Sequence, residues 1–318
     1  MASRKWIIAG LLGLAAPTVF AQQGRVAGPV AGYVFDGAAR VVRPVLGIPG
    51  ASVLGEPVDL GIAVATASVA PRLDSLLAVA ADGSFHIFNL TAGAAKEAGV
   101  SGIAASPERI AFSPTGSAAA LYAGGKIQIV TGLPASPAAG STFDLSSLLA
   151  LPGKGHRPLA GAFAVSDDGA YLLVAEGAGV QLFGPGGTRQ IVSTRNTAVA
   201  FLPGSHDAAV AGSSVTLLKD VGGAATAQVL AESDPSLNSL GLAYSADATK
   251  LYLASSQGIA AFDLPSGTRT AIPCDCSPAG ITGMGNVFRL NEAGPSPLWL
   301  LDANAATPRI VFVPVRSE

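Results

Sequence analysis

Charge is scarce in this sequence, and basic charge is nowhere concentrated. Only 13% of the residues are Asp, Glu, Lys or Arg, and no cluster of Lys and Arg follows residue 5. Without Arg4 and Lys5, the chain carries 17 basic and 21 acidic side chains, a net charge of −4. Proteins that bind nucleic acid need a basic face that displaces counterions from the phosphates. We therefore expect no nucleic-acid partner.

Cysteine, tryptophan and histidine are also rare, and their scarcity argues against several kinds of site. The only cysteines are Cys274 and Cys276, so no thiol near the N-terminus can accept a lipid anchor. Beyond residue 21 the only tryptophan is Trp299, which argues against a quinone-dependent enzyme built on repeated tryptophans. None of the three histidines belongs to a Gly-x-Ser-x-Gly elbow or another hydrolase signature. We expect no cofactor and no metal ion.

The first 21 residues have the pattern of an export signal. Arg4 and Lys5 precede an apolar run over residues 6–16, and Val-Phe-Ala at 19–21 provides a small-residue cleavage site. This run is too short to cross a bilayer, which needs about 20 apolar residues. We therefore expect cleavage after Ala21, a domain over residues 22–318, no membrane span, and a periplasmic or secreted location.

A repeat unit of 36 to 53 residues occurs six times in the chain. Each unit has an apolar strand that enters a turn rich in Ser, Pro, Asp and Gly, followed by further apolar strands. The second residues of these turns lie at positions 70, 113, 166, 202, 245 and 291. This spacing is the length of one four-stranded β-propeller blade. No stretch shows a helical period, so the sequence predicts a single all-β propeller.

Individual strands can be assigned from alternating apolar residues between turn signals. Two units agree strand for strand, and a third contains two inserted loops rich in Pro, Gly and Ser, at 131–140 and 151–158. The expected strands are 240–244, 250–254, 258–263 and 268–272 in the clearest unit, and 160–165, 170–175, 179–183 and 188–192 in the second.

Closure of the ring decides the number of blades. The last unit offers strands at 281–290, 297–301 and 309–313, while the N-terminal segment offers two, at 32–35 and 40–46. Because an open propeller would expose two sheet edges, we expect the N-terminal strands to complete the last blade. This gives six blades, with a closing blade shared by the two ends of the chain. The alternative is seven blades, if the N-terminal strands form a separate, partial blade.

The unit around residues 251–268 resembles the YVTN/WD40-like and lactonase-like propeller repeats of exported bacterial proteins. The resemblance rests on Leu-Tyr-Leu-Ala-Ser at 251–255, Gly-Ile-Ala-Ala-Phe-Asp at 258–263 and Ser-Gly-Thr at 266–268. It implies a propeller fold and export, and it carries over no catalytic residue. Segments 43–51, 274–280, 288–290 and 298–302 are also similar to uncharacterised exported propellers of acidobacteria.

Two functions are compatible with this pattern. We prefer a non-enzymatic, monomeric propeller of the cell envelope or secreted space that binds a protein or a small molecule, because no catalytic constellation can be assembled from the residues. The alternative is a lactonase-like hydrolase that uses the pore mouth. Such an enzyme would need carboxylates at the pore, whereas the acidic residues that can be placed fall in turns, where they cap the backbone. These residues are Asp167, Asp168, Asp207, Asp247 and Glu292.

Three states are open for the segment Cys274-Asp275-Cys276: a disulfide, a two-thiolate metal site, or two free thiols. Export favours oxidation, and a zinc site would need two further ligands that the neighbouring sequence lacks. Residues i and i+2 of a strand lie about 6 to 7 Å apart, near the upper limit for a disulfide. The bond therefore requires a turn at Asp275.

In a propeller, the loops from the outer strand of one blade to the inner strand of the next surround the pore mouth. These pore-rim loops are richer in charge than the whole chain, so we expect the ligand or partner to bind there. The basic members lie on three consecutive units and would suit a carboxylate or an acidic loop. The candidate binding residues are Glu108, Arg109, His156, Arg157, Arg195, Asn196, Asp234, Asn238 and Asp275.

Overall fold

The computed structural model describes residues 28–91, 94–103, 106–151, 155–156, 158–177, 179–232 and 238–315. The expected signal segment, residues 1–21, lies outside these ranges. The described residues form an all-β propeller with seven blades, each of them an antiparallel sheet. The clearest sequence unit becomes blade 6, and its strands begin and end within one residue of the expected positions.

The first three blades occupy residues 30–144. Blade 1 has three strands and the next two blades have four each. In chain order the strands are β1 (Val30–Asp36), β2 (Val41–Ile48) and β3 (Ala51–Leu54) in blade 1; β4 (Val64–Val69), β5 (Ser75–Ala80), β6 (Phe85–Thr91) and β7 (Ala94–Ala98) in blade 2; and β8 (Arg109–Phe112), β9 (Ala119–Ala123), β10 (Lys126–Thr131) and β11 (Ala138–Asp144) in blade 3.

A short connection of one helical turn and a two-stranded ribbon follows blade 3, and only its last part falls in the insertion expected at 151–158. Its elements are α1 (Ser146–Leu149), β12 (Ala150–Leu151) and β13 (Gly155–His156). No helix in the described part of the chain is long and apolar enough to cross a membrane.

The remaining four blades each have four strands and occupy residues 163–313. The strands are β14 (Phe163–Val165), β15 (Leu172–Glu176), β16 (Gly179–Gly184) and β17 (Gly187–Val192) in blade 4; β18 (Asn196–Phe201), β19 (Ala208–Gly212), β20 (Val215–Lys219) and β21 (Thr226–Ala231) in blade 5; β22 (Ser239–Tyr244), β23 (Lys250–Ser255), β24 (Gly258–Asp263) and β25 (Arg269–Ile272) in blade 6; and β26 (Thr282–Met284), β27 (Val287–Arg289), β28 (Leu298–Asp302) and β29 (Arg309–Val313) in blade 7.

The preferred count of six blades with a shared closing blade is wrong, and the alternative of seven holds. Residues 281–290, expected as one inner strand, contain β26 and β27, which form a hairpin around Gly285 with φ +60°. Blade 7 therefore reaches four strands without help from the N-terminus. The N-terminal segment gains a third strand instead, because Gly50, with φ +89°, turns the chain from β2 back into β3.

Seven separate apolar clusters hold the ring together, one at each interface between neighbouring blades. Successive residues of a strand point to opposite faces of its sheet, so each second strand serves two interfaces. In β5, Leu76 packs toward blade 1 and Leu77 toward blade 3. In β23, Leu251 packs toward blade 5 and Tyr252 toward blade 7. This double burial explains the 49% hydrophobic composition and the low charge.

Glu292 lies between β27 and β28, whereas the turns between first and second strands carry the other four acidic residues that we expected to cap the backbone. Asp168 and Asp247 do so, accepting hydrogen bonds from the backbone N–H groups of Ala170 and Thr249 at 3.0 and 3.1 Å. Asp167 reaches instead to the neighbouring blades. Glu292 pairs with an arginine beside the central channel.

Candidate functional site: the central channel

The first strands of blades 2 to 6 and the first hairpin of blade 7 surround a central channel with a volume of about 450 Å³. Most of the residues that line it are Ala, Gly, Val, Leu, Ile, Pro or Phe. Ser68, Ser113 and Thr282 add hydroxyl groups to the lining. Small-molecule sites are concave, have volumes of roughly 300 to 1,000 Å³ and combine apolar side chains with a few polar groups. The channel has a volume in this range and combines apolar side chains with polar groups.

Arg289 and Glu292 are the charged residues of the described channel lining. Arg289 ends β27, and its Nη1 donates a hydrogen bond to Glu292 Oε2 at 2.7 Å. The Arg289 side chain is 21% exposed, whereas the Glu292 side chain is 70% exposed. An exposed partner holds its geometry weakly. The half-buried guanidinium is therefore a charge that an incoming anion can capture from Glu292.

Tyr244 is the remaining titratable residue of the described lining. It ends β22 and packs between blades 5 and 6. Burial, together with the nearby Asp207 carboxylate, raises the pKa of the Tyr244 phenol above its ordinary value of 10.0. Among the residues that the structure describes, none hydrogen-bonds the buried Tyr244 hydroxyl. The raised pKa keeps the phenol neutral over the physiological pH range.

Arg109, a candidate of the pore rim, ties blade 3 to blade 4. Its Nη1 donates to the carbonyl oxygens of Leu159 and Gly161 at 3.0 and 2.8 Å. The guanidinium carbon lies 5.0 Å from the ring centroid of Phe163, which lines the channel. Desolvation by burial lowers the pKa of Arg109, against the attraction of Tyr122 and Glu176. The structure thus gives Arg109 a scaffolding role next to the channel wall.

Glu176, at the end of β15, is the carboxylate that raises the pKa of this arginine against the effect of burial, and no sequence pattern identified it. Glu176 is 7% exposed, and its Oε2 accepts a hydrogen bond from Gly161 N at 2.8 Å. The carbonyl oxygen of Gly161 therefore accepts a hydrogen bond from Arg109, while its N–H donates to Glu176. A Cβ at position 161 would collide with the carbonyl oxygen of Ala175. The residues before Gly161 contain no turn signature that would have predicted its hydrogen bond with Glu176.

The other candidates of the pore rim do not converge on one point in the part of the chain that the structure describes. Asn196 is buried and donates to the carbonyl oxygen of Thr194 at 2.8 Å, while the exposed Glu108 accepts from Gly124 N at 3.1 Å. Arg195, Asn238 and Asp275 are exposed. Arg157 and Asp234 lie outside the described residues, and only the backbone of His156 is described, in β13.

The two cysteines lie in the loop between β25 and β26. A disulfide joins Cys274 to Cys276, with Cα atoms 5.0 Å apart. This separation is shorter than the strand spacing because residues 275 and 276 form a bend. Cys276 also packs against the apolar cluster between blades 6 and 7. The bend at Asp275 therefore brings the two sulfur atoms together at the edge of this interface.

The channel offers apolar side chains, a few hydroxyl groups and the guanidinium of Arg289. No group of three or more His, Cys, Asp or Glu side chains that could hold a metal ion occurs within the described ranges.

Comparisons with known proteins agree with the fold. No protein-family model matches the chain, and no curated protein matches it. Among solved structures, a functionally unknown protein from Desulfotomaculum acetoxidans DSM 771 is similar at a TM-score of 0.60 and 14% identity, over 89% of this chain and 94% of that one. A "putative 6-phosphogluconolactonase" from Bacteroides fragilis NCTC 9343 is similar at a TM-score of 0.57 and 14% identity, over 90% of this chain and 95% of that one. Such likeness establishes the propeller architecture.

Proposed function

We propose that this protein is a binding propeller whose central channel holds a small amphiphilic molecule without catalysing a reaction on it. The observation that carries the proposal is the pairing of an apolar channel of about 450 Å³ with one half-buried guanidinium, that of Arg289. An apolar ligand body gains about 25 cal/mol for each Å² that it buries. Its acidic group replaces the Glu292 carboxylate on Arg289. The ligand class is therefore a carboxylic acid with an aliphatic or aromatic body.

A series of straight-chain carboxylic acids tests this proposal. Affinity should rise from hexanoate to decanoate, because each methylene group that enters the channel contributes up to about 0.8 kcal/mol. The Arg289→Met variant should bind decanoate roughly ten- to a hundredfold more weakly, since a hydrogen bond to a charged group contributes about 1.5 to 3 kcal/mol. Thermal shift and equilibrium dialysis would measure both effects.

Arg269→Met is the matched control for this experiment. Arg269 lies in β25, the outer strand of blade 6, and is exposed. Its loss should leave decanoate affinity unchanged. Equal affinities of the wild-type protein and the Arg289→Met variant would contradict binding at the channel.

The alternative function is a lactonase-like hydrolase that acts at the same pore. One assay distinguishes it from a binding protein. Purified protein would be incubated with a panel of lactones, with and without added divalent metal ions. Turnover that disappears in Arg289→Met but persists in Arg269→Met would overturn the binding-only proposal. Binding of carboxylates without lactone turnover supports it.

Export to the periplasm or the outside of the cell is part of the proposal, and residues 1–21 are the support for it. Expression of the full chain followed by N-terminal sequencing of the periplasmic fraction tests it. A mature protein that begins at Gln22 is expected. A full-length chain retained in the cytoplasm would contradict export.

A further inference from the structure

A serine, a histidine and a glutamate in blade 2 stand in one hydrogen-bonded line. Ser84 belongs to the turn between β5 and β6, and its Oγ lies 2.7 Å from Nε2 of His86. The other ring nitrogen of His86, Nδ1, lies 2.6 Å from Oε1 of Glu97. None of the three lines the central channel.

Local structure explains why these side chains meet. Residues 84 and 86 are two apart at the start of an extended strand, so their side chains lie on the same face. Glu97, on the outer strand β7, is the register partner of Phe88 on β6. Phe88 shares a face with His86, and the two rings lie 6.1 Å apart. The glutamate on the outer strand is therefore a neighbour of the histidine.

The hydrogen bonds define which groups donate. A carboxylate only accepts, so Nδ1 of His86 donates to Glu97. In the neutral ring this leaves Nε2 as an acceptor, and the Ser84 hydroxyl is the donor within reach. This is the arrangement of nucleophile, base and orienting acid that activates a serine, and it is recognised by geometry rather than by position in the sequence.

We propose that Ser84 and His86 form a second site that hydrolyses exposed, activated esters. Ser84 Oγ attacks the acyl carbon while its proton passes to His86 Nε2. The tetrahedral intermediate expels the alcohol, which takes that proton, and the acyl group stays on Ser84. Water then attacks the acyl-serine through the same histidine and releases the acid. Glu97 is a positioning residue that holds the imidazole and stabilises its charged form.

The surrounding donors narrow the substrate class. The Ser84 N–H already donates to Asp82 Oδ1 at 2.9 Å, and the Gly83 N–H donates to the carbonyl oxygen of Ala80 at 3.0 Å. An oxyanion on the substrate therefore gains little from these two backbone groups. Substrates with a good leaving group need that stabilisation least, so aryl esters fit the site and ordinary amides do not.

Asp82 limits the reactivity of the serine. Ser84 Oγ lies 2.6 Å from Asp82 Oδ1, so the single hydroxyl proton has two acceptors. The hydrogen bonds from the Ser84 hydroxyl and backbone N–H lower the pKa of the Asp82 carboxyl. Ser84 is exposed, so a substrate reaches it from solvent. We expect slow turnover.

Covalent labelling tests the site without relying on a variant. The intact protein would be treated with a fluorophosphonate, and the adduct located by peptide mass spectrometry. Modification should fall on Ser84 and be lost at least tenfold in His86→Gln. The matched control is Ser266, an exposed serine whose Oγ donates to Asp263 Oδ1 at 2.5 Å and also contacts the hydroxyl and the backbone N–H of Thr268. It should stay unlabelled.

Hydrolysis of 4-nitrophenyl acetate supplies the second readout. Ser84→Ala should abolish the acyl-enzyme burst, while Ser266→Ala and Arg269→Met, which change exposed residues of blade 6, should leave it intact. Glu97→Gln should lower kcat at least tenfold and leave KM unchanged, because the glutamate positions the imidazole and does not touch the ester. Two results overturn the proposal: no adduct on Ser84, or hydrolysis that persists in Ser84→Ala, as expected of an imidazole acting alone.

Discussion

Asp167 accepts two hydrogen bonds from Thr115, one from its backbone N–H at 2.8 Å and one from its hydroxyl at 2.6 Å. The second carboxylate oxygen of Asp167 accepts from Gly204 N at 2.8 Å. Thr115, Asp167 and Gly204 belong to the corresponding turns of blades 3, 4 and 5. One carboxylate therefore joins three consecutive blades on the face that these turns form.

Replacement of Asp167 should destabilise the ring more than replacement of an acid that only caps its own turn. We expect Asp167→Ala to lower the free energy of unfolding by about 2 to 3 kcal/mol, because a partly buried charged acceptor with three donors is lost. Asp247→Ala, which removes local caps in blade 6, should cost less than 1 kcal/mol. Urea denaturation at neutral pH measures both free energies of unfolding. Equal losses in the two variants would show that the hydrogen bonds between blades add no stability.

Removal of Arg109 should also destabilise the propeller. Arg109→Met keeps the aliphatic part of the side chain but leaves two carbonyl oxygens without their donor and the buried Glu176 without a nearby cation. We expect a loss of about 2 to 3 kcal/mol. Arg195→Met, at an exposed loop position, should stay within about 0.5 kcal/mol of the wild-type protein. An Arg109→Met variant with unchanged stability would mean that this arginine is free to bind a ligand.

Acid should weaken the fold through its turn carboxylates. Hydrogen bonds from the Ser245 hydroxyl and from the backbone and hydroxyl of Thr249 lower the pKa of Asp247 from its ordinary value of 3.8. A carboxyl whose pKa is depressed in the folded state stabilises it at pH values above 3.8, and this contribution is lost as the pH falls through the folded-state pKa. Melting temperature should therefore decline below pH 4 in the wild-type protein and decline less in Asp247→Asn. Parallel curves for the two proteins would contradict this assignment.

The disulfide between Cys274 and Cys276 should matter more for the pore rim than for the fold. A bond that closes such a short ring restricts the unfolded chain little, by about 1.6 kcal/mol in the chain-entropy model. Mass spectrometry of alkylated, unreduced periplasmic protein should find no free thiol. The double serine variant should lose less melting temperature than Arg109→Met while altering ligand binding. Two alkylated cysteines, or a large loss of stability with unchanged binding, would contradict this role.

Loss of the Glu292 carboxylate should strengthen ligand binding, in contrast to loss of Arg289. Glu292→Gln removes the carboxylate that faces Arg289 at 2.7 Å, so a carboxylate ligand no longer has to displace a charged competitor. Decanoate should bind several-fold more tightly to this variant, whereas decanol should bind it as it binds the wild-type protein. Calorimetric titration with the two ligands provides the measurement. Weaker binding of decanoate would show that Glu292 itself contacts the ligand.

Much of the fold could be predicted because each blade is encoded locally. Strand β24 falls on the expected residues 258–263, and β23 differs from its expected range by one residue. Apolar alternation and turn residues are sufficient to locate such hairpins. The predicted number of blades was wrong because of one glycine. Gly285 turns the chain in the middle of an apolar run that otherwise has the pattern of a single strand.

The candidate site was less predictable because it depends on contacts between distant segments. Glu176 meets Gly161 across 15 positions, and Asp167 meets Thr115 across 52. No local pattern distinguishes a turn aspartate that caps its own backbone from one that reaches the next blade. Loop residues such as Asn196 looked like ligand contacts because they are polar, yet the loop backbone uses their hydrogen bonds.

Calorimetric titration of the wild-type protein and the Ala200→Phe variant with decanoate tests the central claim most directly. Ala200 lines the channel in β18, and a phenyl group there occupies the space proposed for the ligand. We predict one binding site in the wild-type protein, a negative heat-capacity change from burial of apolar surface, and loss of binding in a correctly folded Ala200→Phe variant. Unchanged affinity in that variant would contradict a ligand-binding channel.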